Sequence, residues 1–268
     1  MNEYELPLVF FTVLCQWGIG GVIALTLYRL RPTSQMSVGQ LKYLVLGLWL
    51  VEVVGSSLSL LHLGSPFGAY RAVLGLPHSW LSREVIAFVL VNISLFLMLA
   101  ACWLRPQKSA LITTLGLVTS VVGIAAILVS AQIYYQMASH PLWHTPLTQL
   151  AFLSTALLLG FATLGIYLNC CGLAVPRTVR YGLLAGCLLL LATLVGRYQI
   201  AGASAQGIML WWQLVGSMLV GGVLFAVLSQ RTRLVPSMAV IAGVALVSGE
   251  IVGRMLFYHN VMGQFPWF

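Results

Sequence analysis

Long stretches of apolar residues alternate with short polar segments along the whole chain, and the polar segments are rich in charge, proline and glycine. A helix that crosses a bilayer needs about 20 mostly apolar residues, because each residue rises only about 1.5 Å along the helix axis. The stretches that reach this length cover residues 7–28, 43–62, 84–104, 110–136, 147–170, 181–200, 209–229 and 235–258. The longest connection, 63–83, has no room for a soluble domain. The pattern therefore predicts an all-α polytopic membrane bundle of eight transmembrane helices, which forms a single domain over 1–268.

The composition of the protein argues against a water-soluble fold. Hydrophobic residues make up 60% of the sequence and charged residues 7%, whereas a soluble domain carries about 25% charged residues. So few polar side chains cannot cover the surface of a soluble protein of 268 residues. A soluble enzyme and a nucleic-acid-binding module are therefore excluded, although the formal net charge is +8.

The Lys and Arg residues predict the orientation of the bundle, because cytoplasmic connections of membrane proteins are enriched in these residues. Nine of the thirteen lie in or beside the connections that follow odd-numbered helices, namely Arg29, Arg31, Lys42, Arg105, Lys108, Arg177, Arg180, Arg231 and Arg233. The other four lie toward the opposite side, namely Arg71, Arg83, Arg197 and Arg254. We therefore expect the basic connections to face the cytoplasm and both termini to lie on the outer, periplasmic side.

Ionisable side chains within the predicted spans are candidates for function, because a charge inside a bilayer is costly unless it is paired or hydrated. The sequence has no Asp, and only Glu52, Glu84 and Glu250 among its five Glu residues lie in spans. On the predicted outer side, Glu84 and Glu250 are accompanied by arginines, tyrosines and every histidine of the protein. These companions include Arg71, Arg197, Arg254, Tyr134, Tyr135, Tyr258, His62, His78, His140, His144 and His259. The sequence thus concentrates its reactive side chains on one side of the membrane.

Several of these residues also have a purely structural explanation. Glu250 and Arg254 are spaced i,i+4, which suits an ion pair within one helix, and the glycines beside them form a GxxxG motif that suits close helix packing. Ser82 is a candidate N-cap of the third span, and the first turn of a helix favours acidic residues such as Glu84. Glu52 lies near mid-span, where we expect a neutral or locally hydrogen-bonded glutamate.

The outer cluster as a whole suits an amphipathic ligand that carries protons. His62 and Glu84 flank one short connection, and arginine and tyrosine residues lie on the same predicted side. A quinol head group needs hydrogen-bond partners and proton acceptors at both of its oxygens, which histidine and carboxylate side chains supply near neutral pH. The cluster therefore favours a site at which a membrane quinol is oxidised.

The protein offers few ligands for a redox centre of its own. Its five Cys residues lie in apolar stretches without a CxxC pair, so we expect no iron–sulfur cluster. No His lies in the inner half of a predicted span, which argues against a series of haems across the membrane. We therefore expect no haem or metal in this chain, so that electrons from quinol would pass directly to a partner protein.

Several sequence blocks resemble those of a known family of membrane anchors. The blocks are HLGSP at 62–66, AYRA at 69–72, SWLSRE at 79–84, Thr145-Pro146 at the start of the fifth span, and GExxGRxxxY at 249–258. Through these blocks, the protein resembles the anchor subunit of dimethyl sulfoxide (DMSO) reductase, the DmsC family, along its whole length.

The resemblance implies a menaquinol-oxidising anchor in the bacterial inner membrane. Such an anchor holds a molybdopterin-containing catalytic subunit and a four-cluster iron–sulfur subunit, and it passes electrons to the nearest cluster. For this protein the resemblance implies His62 and Glu84 as catalytic residues. The quinol-binding residues that we predict from the cluster and the resemblance together are His62, Ser65, Arg71, Glu84, Tyr134, Glu250 and Arg254.

Three other functions are also compatible with the sequence. A small multi-span transporter would place polar groups near the midplane of the membrane, where this protein has Glu52. A purely structural tether would use the outer cluster only to stabilise the docking of partner subunits. A quinone-linked anchor of the polysulfide-reductase type is the third alternative, although the HLGSP block favours the DMSO reductase family.

Overall fold

The computed structural model describes residues 6–32, 34–62, 74–201, 208–226 and 235–262, which form a bundle of helices. Helices α1 to α6 cover Leu6–Arg29, Val38–His62, Trp80–Leu104, Ser109–Tyr135, Leu147–Cys170 and Arg177–Ala201. Helix α7 begins as Ile208–Trp212 and continues in π-helical turns over Gln213–Leu224, and helix α8 covers Pro236–Met262. No β-strand occurs within the described ranges, in agreement with the predicted all-α fold.

Seven of the described helices, all except α7, are long and apolar enough to cross a membrane. The apolar part of α7, Ile208–Val223, is shorter than the others. Each of the eight predicted stretches corresponds to one helix of the structure, and the predicted stretch 147–170 matches α5 residue for residue. The apolar pattern therefore locates the helices of this bundle correctly.

Three helices begin earlier than the apolar pattern predicts. Helices α2, α3 and α6 start four or five residues before the predicted positions, because their first turns carry polar or basic side chains that an apolar pattern leaves out. As a result Ser79, and not Ser82, caps α3, so the predicted cap was wrong. The Ser79 hydroxyl accepts a hydrogen bond from the backbone N–H of Ser82 at 3.3 Å.

Helix α1 lies at the centre of the bundle and contacts α2, α4, α5, α6 and α8. In its most apolar window 72% of the residues are buried, compared with 61% or less in the other candidate spans. It meets α5 backbone to backbone at two glycines. A Cβ atom on Gly160 would overlap the Gly20 carbonyl, and one on Gly20 would overlap the carbonyl of Ala156. Small residues at both positions are therefore required for this close approach.

Contacts between helix ends show that successive helices alternate in direction. The start of α1 meets the start of α3, where the Phe11 and Phe88 ring centroids are 5.0 Å apart. The end of α4 meets the start of α5 and the end of α8, because the Tyr134 ring lies 5.8 Å from Phe152 and 5.3 Å from Phe257. We call this end of the bundle the Tyr134 end.

The opposite end of the bundle, which we call the Arg29 end, joins the end of α1 to the start of α4. Arg29 Nη2 donates to Ser109 Oγ at 3.1 Å. At the same end, the Tyr167 hydroxyl of α5 donates to the Gln40 carbonyl of α2 at 2.7 Å. The described residues of the predicted outer cluster thus lie at the Tyr134 end. Several helix termini that carry basic side chains lie at the Arg29 end.

The π-helical part of α7 packs against α8 at the GxxxG motif. A Cβ atom on Gly249 would come within 2.7 Å of the Ser217 backbone nitrogen, and one on Gly253 would overlap the Gln213 amide group. The motif therefore brings two helices into close contact, as the sequence predicts, and it sets Glu250 beside the hydroxyl of Ser217.

Candidate functional site

A crevice of about 210 Å³ lies between α1, α2 and α3 toward the Tyr134 end. Its lining residues are Phe11 of α1, Ser56 and Ser59 of α2, and Glu84, Val85, Phe88, Val89, Asn92 and Ile93 of α3. Val89 and Ile93 are each 51% exposed on the apolar outer surface of the bundle, whereas Glu84 is only 4% exposed. This crevice, which we call the Glu84 crevice, therefore leads from the outer surface to a buried carboxyl group.

The periodicity of α3 positions the inner wall of the Glu84 crevice. Glu84, Phe88 and Asn92 follow one another at intervals of four residues, so they share one face of the helix. This face turns toward α1, because the Phe88 ring packs edge-on against Phe11. The carboxyl group, an aromatic ring and an amide are thus stacked along one side of the crevice.

Hydrogen bonds fix the amide of Asn92 at the wall of the crevice. Asn92 Nδ2 donates to Ser56 Oγ and to the Phe88 carbonyl, both at 2.9 Å. These two bonds leave Asn92 Oδ1 without a hydrogen-bond partner among the described residues. The crevice therefore combines apolar walls with a carboxyl group, two serine hydroxyls and an available carbonyl oxygen, a combination that suits a flat ring with polar substituents.

A buried pair of tyrosines lies behind Glu84. The hydroxyls of Tyr134 and Tyr258 are hydrogen-bonded at 2.9 Å, and both rings pack against Trp143. Both tyrosines interact electrostatically with Glu84 on one side and with Arg254 on the other. The pair therefore lies between the Glu84 crevice and the charged groups of α8.

A second and smaller cavity, of about 20 Å³, lies between α5, α6, α7 and α8. We call it the arginine cavity, because Arg197 and Arg254 both line it. Glu250 lines it as well, and both of its carboxyl oxygens accept hydrogen bonds. Oε2 accepts from the Thr155 hydroxyl at 2.6 Å, and Oε1 accepts from the Ser217 hydroxyl.

Arg254 is 4% exposed and is held by neighbours from two other helices. Its Nη2 atom donates to Gln16 Oε1 at 2.7 Å and to Thr155 Oγ1 at 3.3 Å. Because Thr155 also donates to Glu250, one hydroxyl bridges the acid and the base that lie one turn apart on α8. The i,i+4 pair predicted from the sequence is thus connected through a residue of α5.

The structure separates the predicted quinol-binding residues into two groups. Glu84 lines the Glu84 crevice, whereas Glu250 and Arg254 line the arginine cavity. Tyr134 lies between the two and lines neither of them. The four described members of the predicted cluster are therefore gathered at one end of the bundle, where they line two separate cavities or, for Tyr134, neither of them.

Three further predicted residues are only partly covered by the described structure. His62 is the last residue of α2, and its side chain lies outside the described part. Ser65 and Arg71 also lie outside the described residues. Ser59, which precedes His62 by one helical turn, lines the Glu84 crevice.

Glu52 is fully buried between α1 and α2, away from both cavities. Its carboxyl group fits against Gly18, where a Cβ atom would come within 2.6 Å of Oε2. Neither carboxyl oxygen has a hydrogen-bond partner among the described residues, which leaves the neutral glutamate of the two predicted alternatives. The nearby Ser57 hydroxyl donates instead to the carbonyl of Val53 at 2.7 Å.

Several residues at these sites were missed by sequence reasoning, among them Asn92, Gln16 and Thr155. Asn92 had a visible signal, because it is a lone amide in the apolar stretch VLVNISLF of α3. Gln16 and Thr155 had a weaker one, since single polar residues in apolar helices often bond only to their own backbone. Their roles depend on contacts between helices that are distant in sequence.

The described residues also bear on metal binding. All five cysteines are free thiols, and Cys15, Cys102 and Cys187 are buried. Across the described ranges, no group of three or more His, Cys, Asp or Glu side chains is placed to hold a metal ion.

The chain is similar to components of several known enzymes. A component of the anaerobic dimethyl sulfoxide reductase of Haemophilus influenzae is 30% identical over 161 residues, an alignment that covers 59% of this protein and about half, 56%, of that relative. The equivalent component of the anaerobic dimethyl sulfoxide reductase of Escherichia coli is 27% identical, with 97% of both sequences covered. A sulfite dehydrogenase subunit of Allochromatium vinosum is 30% identical over 59% of this protein and 53% of that relative.

A family model extends these similarities to nearly the whole protein. The model of the DMSO reductase anchor subunit (DmsC) matches residues 1–259, whereas no solved structure matches significantly. The matched region contains all the described helices except the last residues of α8. The chain therefore belongs to the DMSO reductase anchor subunit family.

Proposed function

We propose that this protein is the quinol-oxidising membrane anchor of a DMSO-reductase-type complex in the bacterial inner membrane. Its family and its long apolar helices support a membrane anchor of a redox complex. The proposal adds that menaquinol binds in the Glu84 crevice and is oxidised there. The observation that carries it is a buried carboxyl group at the inner wall of an apolar crevice that reaches the outer surface of the bundle.

The shape of the Glu84 crevice supports a quinol as its ligand. Its volume of about 210 Å³ is below the range of about 300–1,000 Å³ for pockets that enclose a whole drug-sized ligand. A site of this size suits a flat head group whose long apolar tail stays in the lipid. The rings of Phe11 and Phe88 supply aromatic walls, and the exposed side chains of Val89 and Ile93 form the edge that a tail would cross.

The polar groups of the crevice suit the proton chemistry of the reaction. Oxidation of quinol to quinone releases two protons and two electrons. In the proposal, the Glu84 carboxylate accepts one phenolic proton and His62 accepts the other. Asn92 Oδ1, which has no hydrogen-bond partner among the described residues, accepts a hydrogen bond from the head group before the proton leaves. Ser65 and Arg71 complete the proposed contacts from the connection between α2 and α3.

The residues behind the crevice hold Glu84 and α8 in place. The Tyr134 hydroxyl of α4 bonds to the Tyr258 hydroxyl of α8, and both tyrosines lie near Glu84. Glu250 and Arg254 fix α8 to α5 through Thr155. We therefore assign Tyr134, Glu250 and Arg254 to bracing the quinol site.

The electrons need an acceptor outside this protein. We propose the two partners that the family resemblance implies, a four-cluster iron–sulfur subunit next to the anchor and a molybdopterin catalytic subunit beyond it. The relatives from Haemophilus influenzae and Escherichia coli are by name components of an anaerobic DMSO reductase, which supports such an assembly. If the partners dock on the side where the protons leave, turnover of this module moves no charge across the membrane.

Filling the Glu84 crevice tests the proposed function. Ile93→Trp places a bulky ring at the half-exposed edge of the crevice, where it takes space that the head group needs. We expect quinol binding to be weaker by about tenfold or more, which corresponds to about 1.4 kcal/mol. We expect a matching fall in quinol-driven reduction of the terminal acceptor by membranes that carry the assembled complex.

A matched control variant shows whether the effect of a bulky ring is specific to the crevice or occurs anywhere on the outer surface. Leu97 follows Ile93 by one helical turn and is 49% exposed, but it does not line the crevice. Leu97→Trp should leave quinol-driven activity unchanged, and both variants should keep activity with a water-soluble dye that donates directly to the extrinsic subunits. Equal quinol-driven activity in Ile93→Trp and Leu97→Trp membranes would contradict the proposed site.

A further inference from the structure

Two guanidinium groups from different helices line the arginine cavity. Arg197 comes from the last turns of α6 and is partly exposed, whereas Arg254 comes from α8 and is buried. Both lie over the same ring, with Arg197 Cζ at 4.8 Å and Arg254 Cζ at 5.6 Å from the centroid of Phe257. One small cavity is therefore lined by two like charges.

Several donors of these guanidinium groups are unused. Arg197 Nε, Arg197 Nη2 and Arg254 Nη1 are buried and have no hydrogen-bond partner in the described part of the protein. Buried polar groups in proteins are almost always hydrogen-bonded, and an unpaired charged donor is especially costly. Three such donors on two residues that line one cavity therefore indicate a ligand that accepts hydrogen bonds.

The charges around the cavity indicate the sign of that ligand. Of its described lining residues, Arg197 and Arg254 are cationic and Glu250 is the sole acid. Both oxygens of Glu250 already accept hydroxyl hydrogen bonds, which suits the ionised carboxylate. The described lining of the site thus carries one uncompensated positive charge, which favours an anionic ligand.

The volume of the cavity limits the size of the ligand. About 20 Å³ is slightly more than the minimum of about 10–15 Å³ that one water-sized particle needs. A monatomic anion fits it, and it also meets the requirement for charge.

We propose that the arginine cavity binds a single halide ion, with chloride as the physiological ligand. The ion accepts hydrogen bonds from Arg197 and Arg254 and neutralises the excess charge. It thereby connects α6 to α8 at the Tyr134 end, where Arg254 is also held by Gln16 of the central helix α1. This site is separate from the Glu84 crevice, so the proposal does not depend on quinol binding.

An ordered water molecule is the competing occupant. Water also accepts hydrogen bonds from N–H groups, but it leaves the positive charge without a counter-ion. The two occupants differ in their response to salt composition, because a bound halide gives a saturable, halide-dependent stabilisation that requires the arginines, whereas general salt effects on stability do not.

Thermal unfolding of the purified full-length protein in detergent provides the test. At equal ionic strength, we expect a saturable rise of the unfolding midpoint in sodium chloride or sodium bromide over sodium gluconate. Arg197→Gln should abolish this halide-dependent shift and, in gluconate, should be at least as stable as the wild type, since one of two repelling charges is gone. An equal halide shift in the wild type and the variant would overturn the proposal.

Arg177→Gln is the matched control, because Arg177 lies at the exposed start of the same helix. This variant should keep the full halide-dependent shift. If Arg197→Gln does not fold, anomalous scattering from bromide in wild-type crystals decides the question. A bromide peak within hydrogen-bonding distance of both guanidinium groups supports the proposal, and a water without anomalous signal overturns it.

Discussion

Replacing Glu84 by Gln removes the proposed proton acceptor while it changes little else. Gln has nearly the same size, and its amide oxygen still accepts a hydrogen bond from a quinol hydroxyl. Glu84 is 4% exposed and lines the crevice, so the substitution alters the chemistry of the wall without opening a cavity. The variant therefore separates proton transfer from binding.

The expected effect is much larger on turnover than on affinity. A positioned general base contributes about 10²- to 10⁴-fold to a rate, and the lower limit corresponds to about 2.7 kcal/mol of transition-state stabilisation. A hydrogen bond to a charged group contributes about 1.5–3 kcal/mol and one between neutral groups about 0.5–1.5 kcal/mol. The difference of about 1 kcal/mol predicts quinol affinity that is only about fivefold weaker.

The assay compares membranes that contain equal amounts of the assembled complex. Quinol-driven turnover is measured over a range of quinol-analogue concentrations, and dye-driven turnover reports the integrity of the extrinsic subunits. Glu52→Gln is the matched control, because Glu52 is equally buried but lines neither the Glu84 crevice nor the arginine cavity. A quinol-driven kcat in Glu84→Gln within about fivefold of the wild type, far from the loss of about 10²-fold expected for a missing general base, would refute Glu84 as the base.

Three further experiments test the packing around the site, each through the free energy of unfolding of the purified protein. Thr155→Val leaves a Glu250 oxygen and an Arg254 N–H group with one hydrogen-bond partner fewer. At about 1–3 kcal/mol for each group, we expect the free energy of unfolding to fall by about 2–6 kcal/mol. A variant as stable as the wild type would contradict the bridge. Gly160→Ala should lower the free energy of unfolding by about 1–3 kcal/mol, because its Cβ overlaps the Gly20 carbonyl. Gly47→Ala is the control: its Cβ meets nothing within 4 Å, so it should be neutral or stabilising by up to about 1 kcal/mol. The hydroxyls of Tyr134 and Tyr258 are hydrogen-bonded at 2.9 Å, and a double-mutant cycle of Tyr134→Phe and Tyr258→Phe should give a coupling energy of about 0.5–1.5 kcal/mol. Additive effects of the two substitutions would show that this bond contributes nothing to stability.

The fold was predictable from the sequence because the length of an apolar stretch is itself a structural constraint. The predicted stretch 147–170 matched a helix residue for residue, since its ends coincide with changes in polarity. The start of α3 was misplaced because Arg83 interrupts the apolar pattern, although the helix begins at Trp80 after the Ser79 cap. Polar residues in a first turn leave the backbone hydrogen bonds intact, so polarity alone cannot mark where such a helix begins.

The arrangement within the site was less predictable, because it depends on how helices rotate and which helices meet. The sequence placed Glu84, Glu250 and Arg254 on one side of the membrane, and the structure brings all three to one end of the bundle. Nothing in the sequence indicated that Thr155, almost a hundred residues away, would bridge the last two. Such contacts follow from close approaches at small residues such as Gly160, which have no distinctive local pattern.

The central position of α1 has a consequence for how the protein is made. Helix α1 leaves the ribosome before the described helices that pack around it, and it is the one that the finished bundle encloses most completely. During synthesis α1 must therefore remain in the membrane, with its glycine surface facing lipid, until α5 arrives and the two backbones can dock. Release of an early intermediate from the insertion machinery exposes this surface to other proteins, so assembly is expected to be most vulnerable before the fifth helix has been inserted.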